Sequence, residues 1–301
     1  VIDLHAHSCA SDGDLSPRRL FETARDKGIR ALALTDHDTI AGLDEAGQAA
    51  GDCGVQCIPG VELEISAEDS GFSSLGFAVR GEFHLLGLGL RFPSGRFVET
   101  LNSLKAEREK RNRLILEKMR AAGIEVSYAD IEAFAGGVSG PVRGAIVGRP
   151  HFGAFLISRK IVRSQEQAFK RYLGKGRPFY VQKKGLSFPE AAALIHESGG
   201  IAVLAHPMSL YLSWGRLPGF LACLKELRLD GVEAWHPATK VKTCKRLEEL
   251  GRSLGLYITA GSDFHGSARP ERKLGCTAGG GRIEDRFLEV IPPLQLSDKM
   301  S

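Results

Sequence analysis

The chain has 301 residues, of which 43% are hydrophobic and 25% are charged, and a chain of this length buries about three quarters of its unfolded surface on folding. This composition excludes an intrinsically disordered or collagen-like protein. The longest apolar runs, such as residues 201–205, fall far short of the roughly 20 residues that span a bilayer, and the first residues lack the pattern of a signal peptide. We therefore predict a soluble, cytoplasmic protein without membrane contact. Its six cysteines show no metal-binding spacing, which predicts reduced thiols.

The net charge of +4 is unevenly distributed along the chain. Residues 105–184 contain 18 Lys or Arg against 7 Asp or Glu, whereas the remainder contains 22 basic and 29 acidic residues. A basic segment within an otherwise acidic chain attracts anionic substrates. A charged stretch such as residues 105–111 is equally typical of a solvated helix face, so charge alone does not decide between these interpretations.

Short apolar runs alternate with helical periods over most of the chain. The first helix is predicted to begin after Ser16-Pro17, which supply an N-cap and a preset first residue, and to end at Gly28. Strands are predicted at residues 2–6, 29–35, 55–58, 82–90, 201–205, 232–235 and 257–260. This alternation is typical of an α/β protein with a parallel sheet, and seven strands favour a (β/α) barrel over an open sheet.

The alternation is interrupted from residue 97, where the pattern becomes helical up to residue 180. We interpret this segment as an insertion into the barrel. The predicted division is the first part of the barrel at residues 1–96, a helical insertion that caps the substrate site at residues 97–180, and the second part of the barrel at residues 181–301.

Histidines and carboxylates accompany the predicted strands. His5 and His7 stand two residues apart on a strand, so both side chains point to the same face and can bind one metal ion. Active sites of such barrels gather at the carboxyl ends of the strands, where these two residues are joined by Asp12, His37, Glu62, His84, His206, Asp263 and His265. Imidazole and carboxylate without cysteine favour zinc, manganese or iron. Nine ligands predict two or three ions that share Glu62 and clamp a phosphoryl group.

Seven short motifs in this order carry a resemblance to a known family. They are His5-x-His7, Asp12-Gly13, Thr35-Asp36-His37-Asp38, Pro59-Gly60-Val61-Glu62, His84-Leu-Leu-Gly87, Ala205-His206-Pro207 and Gly261-Ser-Asp263-x-His265. Over residues 1–90 and 185–270 the chain resembles the polymerase and histidinol phosphatase (PHP) family of metal-dependent phosphoesterases. The resemblance implies a distorted (β/α)7 barrel of the TIM-like PHP fold, here with a helical insertion.

The resemblance also implies how the ligands divide among three ions. The first ion would be held by His5, His7, Glu62 and Asp263, the second by Glu62, His84 and His206, and the third by Asp12, His37 and His265. Asp12 departs from the pattern, since some members of the family carry a histidine there, and this weakens the expectation that the third site is always filled. Manganese is the expected metal, with zinc or iron as alternatives.

Two motifs in the insertion are typical of a subgroup. Residues 148–152 and 172–178 resemble the insertion of bacterial phosphoesterases that remove the 3′-phosphate from 3′,5′-nucleoside bisphosphates. A substrate with two phosphates needs fixed cations for the phosphate that the metals do not hold, and arginine suits this role through its planar bidentate donors. We expect Arg149 to bind this phosphate, together with His151 and Lys175.

The expected reaction is hydrolysis of the 3′-phosphate of such a bisphosphate to give a 5′-nucleotide, by attack of a metal-bound hydroxide on phosphorus. Glu62, His206 and His265 are the expected catalytic residues, and either histidine is a candidate to protonate the ribose oxygen. The expected partner is a nucleotide or a short oligonucleotide. No obligate protein partner is expected.

Four alternatives stay open. A 5′-to-3′ exonuclease on short RNA and a histidinol phosphate phosphatase would use the same metals. A PHP module without activity would bind nucleic acid with an affinity that falls steeply as salt rises. An amidohydrolase-type barrel also begins with His-x-His, but it requires a bridging lysine after a middle strand, where this chain has Glu62.

Overall fold

A computed structural model describes residues 1–135, 146–182 and 185–291. Seven strands follow one another in one sheet in chain order: β1 (Ile2–Asp3), β2 (Ala31–Leu34), β3 (Gln56–Glu64), β4 (His84–Leu88), β5 (Ile201–Leu204), β6 (Gly231–Trp235) and β7 (Tyr257–Ala260). The residues after β1 meet the end of β7, since Leu4 N–H donates to Ala260 O at 3.3 Å and Asp263 N–H donates to His5 O at 2.8 Å. These bonds bring the sheet round into a nearly closed barrel, which confirms the predicted fold class.

Nine α-helices occur in the described residues: α1 (Pro17–Asp26), α2 (Leu43–Cys53), α3 (Gly95–Ala121), α4 (Tyr128–Glu132), α5 (Arg149–Ser158), α6 (Gln165–Ala168), α7 (Phe188–Glu197), α8 (Leu217–Glu226) and α9 (Val241–Ser253). α1 begins as predicted, because the Ser16 hydroxyl accepts the Arg19 N–H and Pro17 is the first helical residue. Gly28 ends this helical segment with a φ of 69°, which glycine adopts without steric cost.

One strand departs from the predicted parallel sheet. β4 runs antiparallel to both β3 and β5, so the prediction of a wholly parallel sheet is wrong. β3 is also longer than predicted, because it pairs with β2 over residues 56–59 and continues along β4 over residues 60–64. Glu62 therefore lies within β3 rather than after it. His84 opens β4, and the reversed direction of this strand brings His84 to the edge where the parallel strands end.

The described residues form a barrel core, with a smaller cluster around α1 and α2, and a separate hydrophobic core contributed by residues 115–135 and 147–181. α3 connects the two cores. Its first turns contribute Phe97, Leu101 and Leu104 to the barrel core, and its later turns contribute Ile115 and Met119 to the second core. The second core is what an insertion over residues 97–180 requires, and we keep those boundaries as a proposal.

Two expectations about the whole chain concern thiols and membranes. All six cysteines are free of disulfide bonds, as predicted. In the three described segments, no helix combines the length and the apolar character that crossing a membrane requires.

Candidate metal centre

The barrel brings the nine predicted metal ligands to one edge. They follow or belong to successive strands: His5 and His7 after β1, His37 after β2, Glu62 in β3, His84 in β4, His206 after β5, and Asp263 and His265 after β7, with Asp12 in the loop beyond β1. Seven of these side chains are buried, and those of Asp12 and His37 are half-buried. Residues up to 260 positions apart in the sequence therefore meet at one site.

The ligand atoms form three overlapping groups, in each of which they lie within 4.8 Å of one another. The groups are His5, His7, Glu62 and Asp263; His7, Asp12, His37 and His265; and His37, Glu62 and His84. His206 adjoins the third group, because its Nε2 lies 2.9 Å from Glu62 Oε1 and 3.3 Å from His84 Nδ1. These groups differ from the expected ligand sets in two ways. His7 also belongs to the group of Asp12, and His37 also belongs to the group of Glu62.

Glu62 faces both sides of this cluster. Its Oε1 lies 2.9 Å from His84 Nδ1 and 2.9 Å from His206 Nε2, whereas its Oε2 lies 3.1 Å from His37 Nδ1 and 3.2 Å from His7 Nε2. Oε2 is buried and lacks a hydrogen-bond partner in the described chain. Because a buried carboxylate oxygen without a donor is costly, this geometry fits an oxygen that binds a cation.

Hydrogen bonds on the outer side of the cluster orient two of the imidazoles. His5 Nδ1 lies 3.0 Å from the Glu233 carboxylate, and His265 Nδ1 lies 2.8 Å from the backbone oxygen of Asp263. Both partners only accept hydrogen bonds, so Nδ1 donates in each case. The Nε2 lone pair of each imidazole therefore faces the cluster.

His206 is oriented in the same sense through a serine. The Ser209 hydroxyl donates to the backbone oxygen of Glu82 at 2.9 Å, so it accepts a hydrogen bond from His206 Nδ1 at 2.8 Å. The inward nitrogens approach closely, with His5 Nε2 and His7 Nε2 only 3.1 Å apart. Two lone pairs at this distance repel unless a proton or a cation lies between them. The donor set therefore fits divalent ions that accept imidazole and carboxylate together.

The carboxylates and the histidines shift the pKa values of one another. Burial alone would lower the pKa of His7, but Asp263 and Glu62 raise it to about 9. Glu62 likewise raises the pKa of His84 to about 9 against the effect of its burial. Burial would raise the pKa of Glu62, yet the histidines around it hold that pKa well below its usual range. Glu62 is thus ionised at neutral pH and attracts cations.

Comparison with known proteins identifies the family. A model of the PHP domain matches residues 3–173. The chain belongs to the PHP family. It is 36% identical over 263 residues to the 5′-3′ exoribonuclease of Haemophilus influenzae, and the alignment covers 87% of this chain and 89% of that protein. It is 31% identical over 287 residues to the 3′,5′-nucleoside bisphosphate phosphatase of Chromobacterium violaceum, and this alignment covers 92% of this chain and 91% of that protein.

The structure has a close counterpart within the PHP fold. The solved structure of an amidohydrolase from Chromobacterium violaceum, with bound sulfate and no metal, matches with a TM-score of 0.81 and 28% identity, over 96% of this chain and 95% of that chain. The resemblance inferred from the sequence motifs is therefore confirmed. The protein is a hydrolase of the metal-dependent PHP phosphoesterase class.

The three residues predicted to bind substrate in this PHP protein have different settings. Arg149 begins α5, and its guanidinium lies 5.6 Å from the ring centre of Phe169 and 5.9 Å from that of Tyr180. His151 is buried, and its Nδ1 accepts a backbone N–H in the first turn of α5 at 2.8 Å. Lys175 is exposed and forms no hydrogen bond or ion pair with the described residues. The structure thus brings the first two residues, but not Lys175, into a packed setting.

Two buried arginines of α3 were not singled out by the sequence analysis. Arg108 forms an ion pair with Asp38, the residue after His37. Arg111 is only 4% exposed, yet no carboxylate of the described segments lies within ion-pair distance of it, and its Nε lacks a hydrogen-bond partner. Burial, reinforced by the neighbouring Arg108, lowers the pKa of Arg111 to about 9. Arg111 is therefore a buried cation at neutral pH that forms no ion pair with a described carboxylate, although Glu64 and Asp38 lie near enough to oppose the lowering of its pKa.

The sequence contained a signal for these arginines. Counting from Leu101, the positions Leu104, Arg108, Arg111 and Ile115 follow at alternating spacings of three and four residues, which is the period of a buried helix face. We interpreted the same charged stretch as equally compatible with a solvated face. The apolar residues that flank the arginines on this face decide the question in favour of burial.

Residues of β6 and just after it also contact the PHP site, although they are not among the predicted ligands or catalytic residues. Glu233 contacts His5, and His236 Nε2 lies 3.1 Å from Asp263 Oδ2. Arg272 donates a further hydrogen bond to Asp263. The signal for Glu233 was its place between two apolar residues of a buried strand, where a carboxylate needs a partner.

Removal of divalent ions from the PHP protein is expected to lower its thermal stability. The ions bind the folded site and not the unfolded chain, and one ion at 100 times its Kd stabilises the folded state by about 2.7 kcal/mol. The measurement is the Tm after treatment with EDTA and again after manganese is added back. An unchanged Tm in both steps would contradict the proposed metal centre.

Proposed function

We propose that the protein hydrolyses the bond between the 3′-oxygen of a nucleotide and its phosphorus, with 3′,5′-nucleoside bisphosphates as substrates and 5′-nucleotides as products. The observation that carries the proposal is a His and carboxylate cluster close to a buried guanidinium that has no carboxylate partner in the described residues. The cluster with its ions suits one phosphate, and the guanidinium suits a second. The name of the relative from Chromobacterium violaceum supports this assignment.

The ligand sets are proposed to hold two or three divalent ions, with manganese as the first choice and zinc or iron as alternatives. When bound, such ions supply Lewis acidity toward the phosphoryl oxygens and lower the pKa of a nucleophilic water. Glu62 would serve two ions at once, because Oε1 faces His84 and His206 whereas Oε2 faces His7 and His37. The Nε2 atoms of His5, His206 and His265 would be available to hold these ions.

The ribose 3′-oxygen needs a proton when its bond to phosphorus breaks. We propose His206 and His265 as the two candidates for this proton transfer, since each keeps Nδ1 engaged on the outer side and presents Nε2 to the cluster. Water provides the oxygen that adds to phosphorus, and the products are a ribose hydroxyl and a phosphate. Nearby general acids of this type contribute about 100-fold to 10,000-fold to rate.

The second phosphate is proposed to bind where α3 meets the barrel. Asp38 N–H donates to Glu62 O at 2.9 Å, and the Asp38 carboxylate pairs with Arg108. Arg111 lies three residues further along the same helix face. These contacts run from the metal cluster to Arg108, and the next arginine on that face is the one without an ion-paired carboxylate among the described residues.

Residues of α5 complete the proposed phosphate site. Arg149 is close enough to Arg111 to contribute to the lowering of its pKa, after burial and Arg108. Burial lowers the pKa of His151, and the Asp12 carboxylate opposes this effect, which indicates that His151 lies near the ligand set. Lys175 stays a candidate from the sequence alone. Two guanidiniums beside one another favour a dianionic ligand over a single carboxylate.

A 5′-3′ exoribonuclease activity is the second candidate function, because the relative from Haemophilus influenzae carries that name. The same binding mode serves both reactions. In RNA the terminal 5′-phosphate would bind at the arginines, and the bond from the 3′-oxygen of the first nucleotide to phosphorus would break at the cluster. Water adds to phosphorus, a 5′-nucleotide leaves, and the shortened RNA keeps the phosphate as its new 5′-end.

The test is product release by manganese-loaded protein from adenosine 3′,5′-bisphosphate, 3′-AMP, 5′-AMP, histidinol phosphate, and a short RNA with or without a 5′-phosphate. We expect the bisphosphate to be preferred over 3′-AMP and to yield 5′-AMP. Preference for the 5′-phosphorylated RNA would move the function to the exoribonuclease. Preference for histidinol phosphate would contradict the second phosphate site, and no turnover with metals bound would favour a binding module.

A further inference from the structure

β6 differs from the other strands of the barrel at its carboxyl end. Each of the other six strands supplies at least one of the nine predicted metal ligands, within or directly after the strand. β6 supplies none of the nine. It presents Glu233 and His236 instead, and both side chains contact predicted ligands rather than the space between them.

Glu233 makes two contacts with residues that are far apart in the chain. The side chain is 1% exposed, its Oε1 accepts a hydrogen bond from His5 Nδ1 at 3.0 Å, and its Oε2 accepts the backbone N–H of His206 at 2.8 Å. His5 belongs to the ligand group that faces Glu62 Oε2, and His206 faces Glu62 Oε1. One carboxylate thus connects the two sides of the cluster.

The backbone of His206 needs this contact. His206 has φ 27° and ψ 63°, a conformation that a residue with a side chain adopts only when its surroundings hold it there. The Glu233 carboxylate binds the N–H of the same residue, and the neighbouring Ser209 orients the ring. Together these contacts direct the His206 ring toward Glu62.

The Glu233 carboxylate has little room to turn away. A methyl group at Gly261 would lie 2.6 Å from Glu233 Oε1 and 2.3 Å from His5 Cβ, so even the smallest side chain there would collide.

His236 acts on a third ligand in a similar way. Its Nδ1 accepts the Ala238 N–H at 3.2 Å, so its Nε2 donates to Asp263 Oδ2 and leaves Oδ1 toward the histidines.

We propose that Glu233 is a positioning residue that sets the Nδ1–H tautomer of His5, with the Nε2 lone pair facing the cluster, and the backbone of His206 at once, so that both sides of the metal centre form together. The inference rests on the proposed metal-dependent function. Hydrogen-bond partners of this kind behind metal ligands typically change metal affinity 10-fold to 100-fold when they are removed. The role of Glu233 therefore concerns binding of the ions, and any effect on turnover follows from it.

The test compares Glu233→Gln with Asp230→Asn. The amide introduced by Glu233→Gln would keep one acceptor but turn its N–H₂ group toward a donor, so one of the two contacts is lost. Asp230 is the matched control, because it lies just before β6 and holds His196 Nε2 at 2.6 Å, away from the cluster. We would measure manganese bound per chain after gel filtration, and the Kd and visible absorption spectrum of bound Co²⁺ in the absence of substrate.

We expect Glu233→Gln to weaken Co²⁺ binding about 10-fold to 100-fold and to change the absorption spectrum, whereas Asp230→Asn keeps both the Kd within about twofold and the spectrum. Equal Kd values and spectra for wild type and Glu233→Gln would overturn the proposal. If Glu233→Gln does not fold, Glu233→Asp replaces it, since the shorter carboxylate keeps its charge but cannot reach both partners.

Wild-type protein that binds metal without hydrolysing any phosphate ester would refute the proposed function and leave this comparison valid. Wild-type protein that binds no divalent ion would overturn both.

Discussion

Replacement of Glu62 by glutamine is expected to lower kcat at least about 1,000-fold. Both carboxylate oxygens of Glu62 face imidazoles of the cluster, at 2.9 Å on one side and 3.1–3.2 Å on the other. An amide has one weaker acceptor and turns N–H donors toward nitrogens that need a cation. Loss of about 4 kcal/mol of stabilisation by metal ions corresponds to the stated factor. Asp263→Asn is expected to act in the same direction.

The measurement is the steady-state rate with manganese, together with the circular dichroism spectrum to confirm the fold. Glu248→Gln is the control, because Glu248 is also a shielded carboxylate but pairs with Arg252 of its own helix α9 and with Arg286 near the end of the described chain. We expect this control to keep kcat within a few-fold of wild type. Wild-type turnover in Glu62→Gln would refute the assignment of the metal centre.

Replacement of Arg111 by glutamine is expected to change substrate preference more than any other property. Hydrogen bonds to a charged group contribute about 1.5–3 kcal/mol, so kcat/KM for a 3′,5′-bisphosphate should fall about 10-fold to 100-fold. For 3′-AMP, which lacks the second phosphate, kcat/KM should change less than about threefold, since the same bond breaks without that contact. The ratio of the two values is the measured quantity.

If Arg111 had only a structural role, Arg111→Gln would lower the Tm and would reduce kcat/KM equally for both substrates. A phosphate site predicts otherwise. A buried charge that is not ion-paired to a described carboxylate destabilises the fold, so Arg111→Gln should keep or raise the Tm in the absence of ligand. The control is Arg113→Gln, because Arg113 is exposed on the other face of α3 and stacks on Tyr128. Equal losses of kcat/KM on both substrates, or a lowered Tm, would contradict a phosphate site at Arg111.

The candidate ligands could be predicted from the sequence because the rules that bring them to one edge of the barrel are local. Side chains two residues apart on a strand share a face, and strand ends in a barrel share an edge. His5, His7 and Asp263 could therefore be grouped without any knowledge of contacts. The seven strands were predictable for the same reason, whereas the family was recognised from the order of the seven motifs.

The direction of β4 and the extent of β3 were not accessible in this way. An apolar strand has the same composition in either direction, and Pro59-Gly60 indicated an end where the strand only changes partners. The reversal of β4 nevertheless brought His84 to the predicted edge, because His84 stands at the start of that strand rather than at its end. His84 therefore lies beside the other candidate ligands although β4 runs against the predicted direction.

Strand and helix periods were enough to predict a barrel and to bring the nine candidate ligands to one edge of it, because both predictions depend on patterns of a few residues. Contacts made on folding decide which nitrogen of His5, His206 and His265 faces inward. They also decide which buried arginine forms no ion pair with a carboxylate of the described residues. His5 is oriented by Glu233, 228 residues away, and Arg108 is neutralised by Asp38, 70 residues away. No local pattern encodes such pairs, because the charge and tautomer of a buried group depend on the atoms that folding brings against it.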